Sequence, residues 1–116
     1  MLNYKIFIML YGEAFEYENL DFYLYERGWQ DWMASFEPDE VVAILNSIYR
    51  IARESLKDTR ERLGYSRAEF SRIYNVPIRT LENWDKLNNS PEYTEQLIKY
   101  SLFVEEVNDH EKIVEE

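Results

Sequence analysis

The sequence predicts an all-α protein: a helical bundle with a helix-turn-helix in its middle and a helical extension before it. Three observations point there. Only three glycines and three prolines occur in 116 residues, too few for the turns of a β-sandwich. The chain is 46% hydrophobic and 16% aromatic, which suits a folded core rather than disorder. Apolar residues recur at helical spacing through the middle of the chain. At this length one domain, or a small domain with an appended segment, is expected.

Taken in order, Leu2 to Phe15 offers Ile6, Met9 or Leu10, and Phe15 at helical spacing. The run Phe7-Ile8-Met9-Leu10 also suits a buried strand, but a short helix is favoured. From Glu16 to Trp32 the aromatics are too dense for one period to emerge. Asn19 or Asp21 can cap a helix through Tyr25, and Gly28 can end it. Glu37-Pro38-Asp39-Glu40 is a helix start, with proline in the first turn and carboxylates where the helix dipole favours them. Val41, Ile44, Leu45, Ile48 and Ala52 then make one apolar face. That pattern runs through Leu56 to Leu63, as one long helix or two joined ones, until Gly64 stops it.

Gly64-Tyr65-Ser66-Arg67-Ala68-Glu69-Phe70 joins a helix stop to a new start, because Ser66 and Glu69 have the spacing of a capping box. Phe70, Ile73 and Tyr74 supply the buried side of the next helix, and small Ser71 permits close approach of another. Asn75 stands where a tight turn needs a left-handed residue. Val76-Pro77 restarts the chain, with Leu81 and Trp84 on one face of a helix reaching about Leu87. Two short helices across a three- to four-residue turn form a helix-turn-helix, whose second helix enters the major groove.

Residues from about 56 to 103 resemble the helix-turn-helix of the phage repressor and Cro class, found in small bacterial and phage regulators and antitoxins. The matching run is Arg60, Leu63-Gly64, Ser66, Glu69-Phe70-Ser71, Val76, Arg79-Thr80-Leu81 and Trp84-Asp85, followed by Pro91 and Tyr93. The resemblance implies contacts to double-stranded DNA. Arg67, at the start of the first helix of the pair, corresponds to a phosphate-touching position. Pro77, Ile78, Arg79 and Thr80, with Asn83 one turn later, correspond to the base-reading face. Arg79 then pairs with guanine and Asn83 with adenine, while Arg72 and Lys86 add phosphate contacts. The chain departs from the family where a glycine and basic residues are usual: here stands Lys86-Leu87-Asn88-Asn89-Ser90. Asn88 or Asn89 must therefore supply the left-handed helix stop. Since one short helix reads few bases, a homodimer is expected.

Charge divides the chain. Residues 1–49 carry two basic and nine acidic side chains (net −7), residues 50–104 ten and eight (net +2), and residues 105–116 one and six (net −5). Three parts follow: an acidic, aromatic extension (1–49), the helix-turn-helix domain (50–107) and an acidic tail (108–116). Twelve of the nineteen aromatics lie in the extension, more than a small repressor fold needs. They can pack on the core or on a second subunit. Alternatively, Glu16, Glu18, Asp21, Tyr23, Trp29 and Trp32 can form a partner surface. The competing function is thus an acidic inhibitor of a basic protein such as a toxin or nuclease, as an antitoxin or anti-CRISPR-type protein would be, compatible with autorepression.

Other classes are poorly served. Cysteine is absent, which removes disulfides, thiolate zinc sites and thiol catalysis. The single histidine, His110, lies in the acidic tail, so no multi-histidine metal site or ordinary general base is available. Glu105, Glu106, Asp109 and Glu111 lack the glycine turn of a calcium loop, and no phosphate loop or nucleophile elbow occurs. No enzyme activity, metal or cofactor is expected. The longest apolar run, residues 6–11, is far below the ~20 residues of a membrane span and lacks the flanks of a signal peptide. A soluble cytoplasmic regulator is the expectation.

Overall fold

The computed structural model describes residues 2–115, with side chains through residue 108. The side chains of the acidic tail, including His110 and two of the clustered carboxylates, Asp109 and Glu111, lie outside the described residues. Seven α-helices and one short 3-10 helix make up the described fold, with no strand among them. In chain order they are α1 (Tyr4–Glu13), α2 (Leu20–Tyr25), the 3-10 turn (Asp31–Ser35), α3 (Pro38–Arg53), α4 (Leu56–Arg62), α5 (Arg67–Tyr74), α6 (Ile78–Leu87) and α7 (Glu92–Glu115). The strand alternative for residues 7–10 is therefore excluded.

The ends of these helices follow local chemistry. Asn3 caps α1 by accepting the Ile6 N–H, and Asn19 caps α2 by accepting that of Phe22. Each such cap is worth about 1 kcal/mol. Pro38 opens α3, where Glu37 and Glu40 form a reciprocal capping box. The apolar run from Val41 to Leu63 is broken at Glu54, whose extended backbone (φ −89°, ψ 152°) ends α3. Ser55 then caps α4 through the Asp58 N–H. Gly64, directly after the C-cap of α4, adopts positive φ as expected of a helix stop, whereas α2 ends at its C-cap Glu26, two residues before the positive-φ Gly28.

Two apolar clusters organise the packing. The first joins α1, α2, α3 and the later part of α7 through Phe7, Leu10, Tyr23, Ile44, Leu45, Ile48, Ile51 and Phe103. The second joins α4, α5, α6 and α7 through Leu56, Phe70, Leu81, Ile98 and Leu102. Helix α7 contributes to both, with Leu102 in one cluster and Phe103 in the other. Because Ile51 and Ala52 belong to the first cluster, the packing changes over at the Glu54 break.

Polar ties span the break. Arg62 bonds both Glu54 carboxylate oxygens at 2.9–3.2 Å and also pairs with Glu106, which accepts from Ser47 at 2.6 Å. Lys99 is 1% exposed. Its ammonium donates to the Glu54 carbonyl at 2.7 Å and the Tyr11 hydroxyl at 3.3 Å, and pairs with Glu95 at 3.3 Å. Burial pushes the Lys99 amine below its usual range, against the pull of Glu95.

One expected placement is corrected, at Ile73. Ile73 does not line the buried side of α5; it is 57% exposed, while Phe70 is fully buried. Ser71 acts on the turn as well as on packing, its hydroxyl donating to the Val76 carbonyl at 2.6 Å.

Candidate nucleic-acid interface

The pair α5–α6 is built on a turn that the sequence encodes locally. Ser66 and Glu69 complete the capping box that starts α5, and the Ser66 hydrogen bonds hold the Glu69 carboxyl below its ordinary range. At the other end Asn75 is left-handed (φ 54°, ψ 44°), and its N–H returns to the Ser71 carbonyl. The Val76 N–H reaches the same carbonyl at 3.1 Å. Pro77 then sits just ahead of α6 in an extended conformation (φ −55°, ψ 141°), and its carbonyl accepts the Leu81 N–H at 3.1 Å. Asn88 supplies the left-handed stop of α6 (φ 50°, ψ 46°), doing what glycine does more cheaply.

Helix α6 presents two sides. Leu81 is buried and Trp84 half-buried in the second cluster, which fixes the helix on the bundle. Arg79, Glu82, Asn83 and Lys86 are all exposed. Their spacing of three and four residues puts them on one outward stripe. Pro77 and Ile78 are exposed at the start of that helix, whereas Thr80 is half-buried. Arg72 is exposed on α5.

Arg67 is partly committed to its own protein. Its Nε donates to Asp85 at 3.1 Å, and Nη1 lies 4.0 Å from Glu82. A guanidinium has five N–H donors, so donors remain for a phosphate. Asp85 in turn is held by Arg60 from α4, at 2.9 and 3.2 Å. The Trp84-Asp85 pair thus anchors α6 through its ring and carboxylate together.

The expected partner residues divide. Glu16, Glu18 and Asp21 are exposed, and Trp29 is 69% exposed. Tyr23 is not a surface residue: it is fully buried, and its hydroxyl donates to the Leu10 carbonyl at 2.8 Å. An amphipathic ring with its one polar atom satisfied internally belongs to the core. Trp32 is half-buried with its indole N–H on Gln30 at 2.8 Å. Phe22 and Tyr25, which belong to the surplus aromatics of the extension, are also exposed, three residues apart on α2.

A cleft of about 480 Å³ lies between α1, the Glu54 break and the start of α7. Lys99 lines it, but its three N–H donors already face Glu54, Tyr11 and Glu95. Among the described residues no three His, Cys, Asp or Glu side chains form a group able to hold a metal ion. No helix there is long and apolar enough to cross a membrane. Comparison with protein-family models, with curated proteins and with solved structures finds no match.

Proposed function

We propose that the chain is a sequence-specific, DNA-binding transcriptional regulator, a repressor in its simplest form. The observation that carries this reading is the outward stripe of α6. It bears Arg79, Asn83 and Lys86, while Leu81, Trp84 and Asp85 on the same helix tie it to the bundle. Exposed Arg72 and the free part of Arg67 flank that stripe with positive charge. The resemblance of residues 56–103 to the phage repressor and Cro class adds to the argument, as does the net +2 of residues 50–104 between acidic flanks.

In this reading Arg79 pairs with a guanine edge and Asn83 with an adenine edge. Arg67, Arg72 and Lys86 position the helix through phosphates. Pro77, Ile78 and Thr80 form the apolar start of the reading face. Glu82, exposed on the same stripe, repels phosphate and disfavours indiscriminate binding. The working unit is a two-fold dimer whose half-sites lie about 34–36 Å apart or at multiples of that distance. Exposed Leu87, Tyr93 and Leu97, around the α6–α7 connection, are the surface proposed to pair the two copies. The protein works in the cytoplasm, without a cofactor.

Selection from a pool of random duplexes at moderate salt tests the proposal. An enriched two-fold motif supports it, and the motif should lose definition at one base pair per half-site with Arg79→Ala. A pool that stays random after selection contradicts it.

A further inference from the structure

We infer that the surface carried by α2 and the connection after it is a docking site for a basic protein, whose lysines and arginines meet its carboxylates and stack on its rings. Phe22 is 45% exposed, and Tyr25 and Trp29 are each 69% exposed. Phe22 and Tyr25 are three residues apart on α2, so their rings share one side of it. Trp29 follows the left-handed Gly28 (φ 74°). Arg27 holds that connection in place: it donates to the Tyr23 carbonyl at 2.8 Å, to Glu13 at 2.6 Å and to Gln30 at 3.2 Å. The rings are therefore presented on a fixed support rather than on a loose loop.

Around them Glu16, Glu18, Asp21, Glu26 and Asp31 are exposed, and none of these five forms an ion pair among the described residues. Arg27 is the sole cation between residues 16 and 31, and its buried side chain is paired with Glu13. Five unpaired carboxylates beside three exposed rings define the occupant by charge. A nucleic acid or an anionic membrane is repelled. A second copy meeting this face two-fold sets like charge against like charge. A cationic protein relieves the repulsion, and arginine adds stacking on the rings. The chain already uses that chemistry internally, with Arg27 over the Tyr23 ring at 4.3 Å and Arg53 over the Tyr49 ring at 4.6 Å.

This surface belongs to the first apolar cluster and the α6 stripe to the second, so the inference stands independently of the DNA-binding proposal. A library of random linear peptides is the probe, selected on the full chain at low salt. Basic, arginine-rich peptides should be recovered. The double variant Tyr25→Ala/Trp29→Ala should bind them about tenfold more weakly, which corresponds to about 1.4 kcal/mol. Tyr25→Phe should keep the affinity, since the ring is retained. The reversal Glu18→Lys/Asp21→Lys/Glu26→Lys should lose binding at low salt, and the difference from wild type should close toward 1 M, where charges are screened within about 3 Å. An unchanged far-UV spectrum and melting temperature establish that each variant is folded. Recovery of neutral or acidic peptides, recovery of none, or equal binding by the folded variants overturns the inference.

Discussion

Arg60 and Asp85 form a buried ion pair that ties α4 to α6, one guanidinium nitrogen reaching both carboxylate oxygens. The guanidinium Nη1 lies 2.9 and 3.2 Å from the two carboxylate oxygens, and the side chains are only 5% and 8% exposed. Removing Arg60 leaves the buried Asp85 carboxylate with only the more exposed Arg67, 3.1 Å away, as its counter-charge. Arg60→Ala should therefore cost about 1–3 kcal/mol, less than a fully orphaned buried charge would. Replacing both with apolar side chains, Arg60→Met/Asp85→Leu, should recover most of that loss. Urea unfolding of the two single variants and the double variant measures the coupling. Additive losses would mean that the pair contributes nothing as a pair.

Among the described residues Asn75 and Asn88 are the two with positive φ other than glycine, and they bracket α6. Alanine at either site places a Cβ where the left-handed backbone crowds it, at about 1–2 kcal/mol. Glycine avoids that contact. Asn75→Ala should lower the melting temperature, whereas Asn75→Gly should stay near wild type. Equal effects of the two substitutions would show that the side-chain amide, not the backbone conformation, matters at this turn.

Much of the architecture was legible where its cause is local. Pro38, the Ser66–Glu69 box, Asn75 and the left-handed stop after Leu87 each depend on a few neighbouring residues. The break at Glu54 was less visible, because the apolar spacing from Val41 to Leu63 continues through it; Ser55 followed by Asp58 was the cue. Tyr23 and Ile73 went the other way for tertiary reasons. The Tyr23 hydroxyl finds its acceptor thirteen residues back on α1, which no local pattern encodes. The face that a helix as short as α5 buries is set by how the turn docks it, and that leaves Ile73 outside. The burial of Lys99 likewise depends on α1, the Glu54 break and α7 meeting at one place.

Self-association is expected through Leu87, Tyr93 and Leu97, which are 61%, 69% and 40% exposed. Tyr93 and Leu97 are one turn apart on α7, so their side chains adjoin. Light scattering at tens of micromolar should report a dimer. Tyr93→Glu/Leu97→Glu should convert it to a monomer of unchanged helix content and weaken binding to a two-fold DNA site. A dimer that survives this substitution would place the interface elsewhere.

Alkaline pH should destabilise the fold through its tyrosines. Burial pushes the Tyr11 hydroxyl from 10.0 up to about 12, with Glu95 and Glu92 adding to the shift, and burial raises Tyr23 further. A raised folded-state pKa means that the folded protein holds its proton more tightly than the unfolded chain. The stabilisation is complete below pH 10 and is lost between about pH 10 and 12. For Tyr11 the loss is on the order of 2 kcal/mol. Lys99 works in the opposite sense: its depressed pKa means that loss of its proton relieves a burial cost as pH rises toward 10.5. Unfolding free energies from pH 8 to 12 should fall above pH 10, and less steeply in Tyr11→Phe. A Tyr11→Phe profile parallel to wild type would show that Tyr11 does not contribute to the alkaline loss.

Phosphate contacts make a quantitative claim about salt. If Arg67, Arg72 and Lys86 each touch a phosphate, as proposed, a dimer should show a slope of about −5 in log affinity against log salt. Lys86→Ala should reduce the steepness by about 2, one contact in each protomer, with little change in sequence preference. Fluorescence anisotropy across a salt series measures both. A slope near zero would deny the phosphate contacts.

Contact between the outward stripe of α6 and DNA can be read residue by residue from amide chemical-shift mapping with a selected duplex. Shifts should concentrate at Arg67, Arg72 and residues 77–86, with residues 16–31 undisturbed. Shifts that are absent from α6, or that cluster on the acidic face around Phe22, Tyr25 and Trp29, would contradict it.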